Sequence, residues 1–262
     1  MRNAIIFFTF ILGLSCKHIE TKVEYYKDGK VKFSYQVFDG KKDGKCVEYY
    51  ENGKIASLTF WKKDTLNGES NYFYPNGILK KRCFYKNGLL DSTYVEYYET
   101  GVIKISKTLT LGKTIGRFFE YYEDGKPQII RDCIIKDNET YVNEVYKLNE
   151  NGDTLINGSN FFTINYNKDT IKLGEHFNAF IYLKAPFFSN SKIFIYFEIP
   201  NDTMYRRVFS DNYKYNYDYR PVRPGNYKMK GFIDEFIMVR QNSDSIKRSR
   251  YLYFDISYYV KP

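Results

Sequence analysis

The sequence predicts an all-β protein: an elongated meander of tandem β-hairpins followed by a β-sandwich. Three observations carry this reading. Of 262 residues, 28 are Tyr and 22 are Phe, and aromatic residues make up 19% of the chain; such side chains favour pleated, half-buried surfaces over helices. An aromatic pair recurs every 24 residues through the first half, each pair followed three residues later by glycine. From about residue 160, short runs alternate apolar and polar positions without a helical period. A hydrophobic content of 43% with a net charge of only +9 excludes a disordered chain, and the length suffices for one or two cored domains.

Residues 1–16, MRNAIIFFTFILGLSC, combine a basic Arg2 with an apolar run from Ala4 to Ser15. As a helix that run would span ~18 Å, short of a ~30 Å hydrocarbon core, so it reads as a secretory signal rather than an anchor helix. The ending Gly13-Leu14-Ser15-Cys16 resembles the lipobox of bacterial lipoproteins. That resemblance implies lipidation of Cys16 and residues 17–22 as a tether, although Gly13 stands where the lipobox carries leucine. The alternative is an ordinary cleaved leader with an incidental cysteine. The remaining cysteines, Cys46, Cys83 and Cys133, are odd in number and widely spaced, which argues for buried small hydrophobes over a disulfide framework or a zinc site. No metal and no cofactor is expected.

Residues 23–158 form the repeat domain. Tyr25-Tyr26, Tyr49-Tyr50, Phe73-Tyr74, Tyr97-Tyr98 and Tyr121-Tyr122 keep one register with Gly29, Gly53, Gly77, Gly101 and Gly125. Asp28, Asn52, Asn76, Thr100 and Asp124 precede those glycines. Asp-Gly and Asn-Gly predict two-residue hairpin turns with positive φ at both positions, and Thr100 makes the fourth turn the weakest. A second column, Gly44, Gly68, Ser92 and Gly116, predicts the loop returning to the next unit. Two strands per unit give about ten strands.

Alternation assigns the faces. Val23, Val47, Val95 and Phe119 share a predicted packed stripe with Tyr25, Tyr49, Phe73, Tyr97 and Tyr121. Glu24, Glu48, Glu96 and Glu120 share the opposite, wetter face with Tyr26, Tyr50, Tyr74, Tyr98 and Tyr122, and these nine residues are the candidate binding face.

The unit E-Y-Y-x-[ND]-G-K, read at 24–30, 48–54 and 120–126 and in weaker form at 72–78 and 96–102, resembles the bacterial variant of the MORN repeat found in the YwqK-like antitoxin family. The resemblance covers about residues 22–135, with a sixth unit at 146–152 whose turn is read as three residues longer. It implies hairpin arrays that act as scaffolds or binding surfaces.

Residues 160–262 predict about seven unevenly spaced strands, the pattern of a sandwich. The stretch Arg223-Pro224-Gly225-Asn226-Tyr227 through Gly231 resembles the entry to a late strand of bacterial immunoglobulin-like domains, which implies an immunoglobulin-like sandwich. This half holds 16 Lys and Arg against 10 Asp and Glu. Arg206, Arg207, Arg220 and Arg223 with Tyr213, Tyr215, Tyr217 and Tyr219 could form a basic aromatic surface, yet so modest an excess on an exported chain does not make nucleic acid the expected partner.

Catalysis has little material. The two histidines are His18, in the tether, and His176, in a strand, and no glycine-rich phosphate loop precedes a helix. The sequence therefore predicts a non-catalytic cell-envelope lipoprotein. Its expected partners are the membrane, through the lipid on Cys16, and another envelope protein or a glycan. The competing readings are an antitoxin- or immunity-like protein that sequesters a partner, and a glycan-binding or hydrolytic accessory protein.

Overall fold

The computed structural model describes residues 19–199, 202–209, 213–241 and 244–262, with residues 193–199, 202–209, 241 and 244–245 as backbone alone. The leader and Cys16 lie outside the described residues, and so do the side chains of Arg206 and Arg207. The fold is all-β, and the chain divides into two compact units, Met1–Leu89 and Leu90–Pro262.

The first unit is an antiparallel hairpin meander: β1 (Glu20–Tyr25), β2 (Val31–Phe38), β3 (Lys41–Tyr49), β4 (Ile55–Lys62), the short β5 (Thr65–Leu66), β6 (Gly68–Phe73) and β7 (Leu79–Lys86). The second unit continues the same sequence logic through β8 (Leu89–Tyr97), β9 (Ile103–Thr110), β10 (Lys113–Tyr121), β11 (Pro127–Lys136), β12 (Glu139–Leu148) and β13 (Thr154–Asn160). Thirteen strands thus lie between Glu20 and Asn160, against the ten expected.

The turns correct the sequence reading. At 26–30 the Gly29 N–H donates to the Tyr26 carbonyl at 3.0 Å and the Tyr26 N–H to the Lys30 carbonyl at 2.8 Å. Gly29 has φ 85° while Asp28 is not left-handed. This is a three-residue loop, a type I turn closed by a left-handed glycine and a bulge, not a two-residue loop. The same closure recurs at 50–54, 74–78, 98–102, 122–126 and 149–153. Thr100 is therefore no misfit, because its position does not need positive φ.

The two-residue loops lie at the other end of each hairpin. Asp39-Gly40, Lys63-Asp64, Asn87-Gly88, Leu111-Gly112 and Asp137-Asn138 all have positive φ at both residues, and they are the returns. Gly44, Gly68, Ser92 and Gly116 are left-handed residues inside or beside strands rather than loops. At Gly68 an added Cβ would stand 3.1 Å from the Phe60 Cβ, so the ring lies over the glycine backbone.

The sixth turn is not longer than the others. The three extra residues instead extend β11 to 10 residues and β12 to 10, against 8 and 9 in β9 and β10. In β12, Asn143 falls between the partners of Asp132 and Cys133 as a bulge.

Burial also departs from the predicted division into a packed and a wet face. Val47 and Val95 are buried, but Val23 is 40% and Tyr25 61% exposed. Cys46, Ser57, Thr59, Ser70 and Cys83, in register with the glutamate face, are buried. Small residues on both faces of the hairpins are thus buried.

The remaining strands build a sandwich. β14 (Phe162–Tyr166), β16 (Phe177–Leu183) and β19 (Lys214–Tyr219) form one antiparallel sheet in the order β14-β16-β19. β15 (Thr170–Lys172), β21 (Asp244–Lys261), β20 (Gly225–Gln241), β17 (Asn190–Ile199) and β18 (Asp202–Phe209) form the other in that order, antiparallel except for β15 on β21. Their shared core contains Phe177, Ile181, Met229, Leu252, Phe254 and Tyr258, with the Phe177 and Tyr258 rings stacked 3.8 Å apart. Tyr217 is in this core, and Tyr213, Tyr215 and Tyr219 pack against it. The proposed basic aromatic surface is thus corrected: alternation points these rings inward. Tyr227 OH donates to the Arg223 carbonyl at 2.8 Å, pinning the Pro224-Gly225 turn to the start of β20.

Candidate functional site

Four of the candidate binding-face tyrosines stitch successive repeats together. In the first unit Tyr26 OH donates to the Tyr49 carbonyl and Tyr50 OH to the Phe73 carbonyl, both at 2.6 Å. In the second, Tyr98 OH reaches the Tyr121 carbonyl at 2.7 Å and Tyr122 OH the Leu148 carbonyl at 2.9 Å. Each hydroxyl therefore ties one hairpin to the backbone of the next. These tyrosines begin the turns, one residue past the strand ends, and are half-buried rather than free on a wet face. Tyr74 is also half-buried and engaged.

The rest of the motif has equally local roles. Asp28, Asn52, Asn76 and Asp124 each accept, through Oδ1, the backbone N–H two residues on, which holds the turn. Lys30, Lys54 and Lys126 extend Nζ to carbonyls of Glu51, Asn76 and Glu150 in the following turn. Gly29, Gly53, Gly77, Gly101 and Gly125 supply the left-handed residue. The glutamates pair with neighbours: Glu24 with Tyr35 OH, Glu48 with Ser57 Oγ, Glu96 with Tyr94 OH, and Glu120 with the Arg131 guanidinium. In each unit the motif brings these groups together as a ladder of hydrogen bonds. What this ladder leaves exposed in the first unit includes Phe60 and Phe84, one repeat apart on the face opposite Glu48.

The second unit holds a feature that no sequence motif announces. The face of β11–β12 opposite Glu120 and Arg131 meets the sandwich. Tyr141 OH donates to the Tyr251 carbonyl at 2.6 Å and accepts the Tyr251 N–H at 3.0 Å. Asn143 does the same for Tyr253 through its amide. Arg250 reaches the carbonyls of Val142 and Asn143 and the Asn160 Oδ1. Asn160 Nδ2 in turn donates to the Ala185 carbonyl and to Glu235, a fully buried carboxylate that also accepts the Phe187 N–H at 2.6 Å. The three-residue extension of β11–β12 places Tyr141 and Asn143 where they meet β21.

Beside this junction opens a cleft of about 930 Å³. One wall is the β11–β12 face, with Asp132, Ile134, Lys136 and Glu144; another is β14, with Phe162, Ile164 and Tyr166; β20 and β21 close the floor. Lys136 Nζ lies 4.2 Å from the centre of the Tyr253 ring, a cation–π contact. Glu144 is buried, and burial pushes its carboxyl up, an effect partly offset by hydrogen bonds from Tyr146 OH at 2.6 Å and from the Phe162 N–H. Burial likewise pushes Glu235 up, against the donors that surround it. His176 Nδ1 lies 2.7 Å from Asp218 on an exposed cross-strand edge, away from the cleft lining. Cys46, Cys83 and Cys133 are buried thiols, each raised chiefly by burial. Among the described residues, no group of three or more His, Cys, Asp or Glu is arranged to hold a metal.

Against known proteins, the family described as the MORN repeat variant matches residues 42–63 and 66–87. Each match spans one hairpin around a three-residue turn, β3–β4 and β6–β7. No curated protein matches the chain. A MORN repeat variant is therefore present in the first unit, in the part of the chain where Tyr50, Asn52, Gly53 and Lys54 make the stitches just described.

Proposed function

We propose that this protein is a non-catalytic binding and scaffold protein of the bacterial cell envelope, held to the membrane by a lipid on Cys16, with its repeat sheet as the platform. The observation that carries the reading is the stitching itself. A motif whose tyrosine, Asx, glycine and lysine are each engaged in turn closure or in ties to the next hairpin serves stiffness, and leaves recognition to the positions that vary. Phe60 and Phe84 are such positions, and exposed large rings on a rigid surface suit contact with an envelope protein or a sugar face. The MORN repeat variant is consistent with this role. The Tyr227 hydroxyl bond back to Arg223 favours reading the sandwich as immunoglobulin-like, since such domains use a comparable tyrosine corner.

The test uses the full chain as bait against detergent-extracted envelope proteins and, in parallel, on a glycan array. One saturable partner is expected, its binding weakened at least tenfold by Phe60→Ser with Phe84→Ser and unchanged by Tyr50→Phe. Turnover of ester, peptide or glycoside substrates by the full chain would overturn the non-catalytic reading. The address is tested separately: incorporation of a palmitate analogue should require Cys16, and labelling that persists in Cys16→Ser rejects it.

A further inference from the structure

The outer edge of β21 is covered at Tyr251 and Tyr253 and again at Tyr259–Lys261, and between these stretches it borders the cleft. Along β21 the odd-numbered residues turn their backbone N–H and C=O groups away from β20. Tyr253 gives both to Asn143, Tyr251 gives both to Tyr141, and the Tyr259 N–H donates to the Asp169 carbonyl beside β15. Alternation then places the N–H and C=O of Asp255 and Ser257 on the same edge. β15 is three residues long and pairs only with Tyr259–Lys261, so it stops short of them. Among the described residues no partner faces these four groups. Across the cleft, β14 is the outer strand of its sheet. Asn167 N–H donates to Asn178 on the β16 side, so the even-numbered residues face outward; Phe162 N–H is taken by Glu144, and Ile164 and Tyr166 continue the edge.

We propose that this cleft is a strand-accepting site: an extended polypeptide segment of a partner protein pairs with the free edge of β21 at Asp255 and Ser257. Unpaired backbone donors and acceptors in a row are matched in kind and spacing by another extended backbone, and a hydrocarbon satisfies none of them. Side-chain preference follows from the pleat. Alternate residues of the guest would point toward Ile164, Phe254 and Ile256 and should be apolar, while those between them face Lys136, Tyr253 and the Lys228–Asp255 ion pair. Four guest residues span ~13 Å and supply both partners for Asp255 and Ser257. The proposal is independent of the platform reading. Each site can fail while the other binds.

The experiment selects ten-residue peptides from a phage-displayed library alternating apolar with random positions, against the full chain. Selected peptides should lose at least tenfold in affinity for Ser257→Pro, which removes an edge-facing N–H and no ladder donor to β20. Exchange of the Asp255 and Ser257 amides should slow at least tenfold on binding. Should Ser257→Pro fail to fold, the wild-type chain with a peptide N-methylated at every second residue answers the same question: binding should vanish in one of the two methylation registers. Failure to select any peptide, binding that survives both registers, or binding that leaves those two amides exchanging freely overturns the proposal. So does uptake of a fluorescent fatty acid that competes fully with the peptide and leaves the amides unprotected.

Discussion

The side chain of Asn143 accepts the Tyr253 backbone N–H at 2.6 Å and donates to the Tyr253 carbonyl at 2.8 Å. One buried amide thus does for the edge of β21 what a neighbouring strand would do with its main chain. It can do so because Asn143 is a bulge in β12, aimed out of the ladder by the extra residue. Replacement by Leu keeps the volume and leaves two backbone groups without partners, at a cost of about 1–3 kcal/mol for each group that stays dry. Asn143→Asp keeps the acceptor but sets a second acceptor against the Tyr253 carbonyl, so it should lose less at pH 4, where a protonated carboxyl can donate, than at neutral pH. Urea unfolding of the full chain measures both.

The repeat tyrosines make a sharper pair of expectations. Tyr26 and Tyr25 are neighbours of the same type, yet only Tyr26 ties its hairpin to the next through Tyr49, while Tyr25 is 61% exposed. Tyr26→Phe should destabilise the array by about 1 kcal/mol. Tyr25→Phe should stay within roughly 0.5 kcal/mol of the parent. Equal losses would show that the hydroxyl tie is not what holds successive hairpins together. Tyr50→Phe should repeat the Tyr26 result.

These relationships mark how far the sequence could be read. The hairpin array was legible, since a motif at fixed spacing needs no tertiary information. Turn geometry was not, because the same dipeptide serves both ends of the hairpins: Asp28-Gly29 closes a three-residue loop and Asp39-Gly40 a two-residue one, differing in the φ of the aspartate. The choice rests on how many residues separate the ladder partners, which composition does not encode. Alternation likewise gave Tyr26 a face but not its place just past the strand end, where a hydroxyl reaches a backbone carbonyl 23 residues on. The cleft was invisible for a different reason. Asn143 and Tyr253 are 110 residues apart, and the three-residue extension that joins them reads locally as a longer turn.

Leu111 offers a test of the two-residue returns. It sits at φ 50° in Leu111-Gly112, with 60% of its surface exposed. A leucine in left-handed backbone is strained by roughly 1–2 kcal/mol, whereas asparagine tolerates that region. Leu111→Asn should therefore raise stability by about 1 kcal/mol, and Thr100→Asn, in a loop that needs no positive φ at that position, by less. Thermal unfolding of the two variants ranks them, and the reverse order would contradict the turn assignment.

Glu144 makes the stability of the second unit depend on pH. Burial raises its carboxyl above the ordinary value of 4.5, with Asp132 adding in the same direction and the Tyr146 hydroxyl, the Phe162 N–H and Arg117 opposing. The folded chain then binds this proton more tightly than the unfolded chain does. Between the ordinary value and the raised one, folding takes up protons, so stability declines as pH rises through that window and is level above it. Glu144→Gln removes the charge while an amide oxygen can still accept from the Phe162 N–H. The variant should match the parent near pH 4, where both side chains are neutral, and exceed it at pH 8. Glu235 is raised by burial as well and contributes a slope of the same sign to both proteins, so the difference between variant and parent isolates Glu144. Urea midpoints at pH 4, 6 and 8 read that difference. A gap that stays constant over this range would mean that the Glu144 proton is held no more tightly in the folded chain, and that the Phe162 N–H at the edge of β14 is met by a carboxylate already charged.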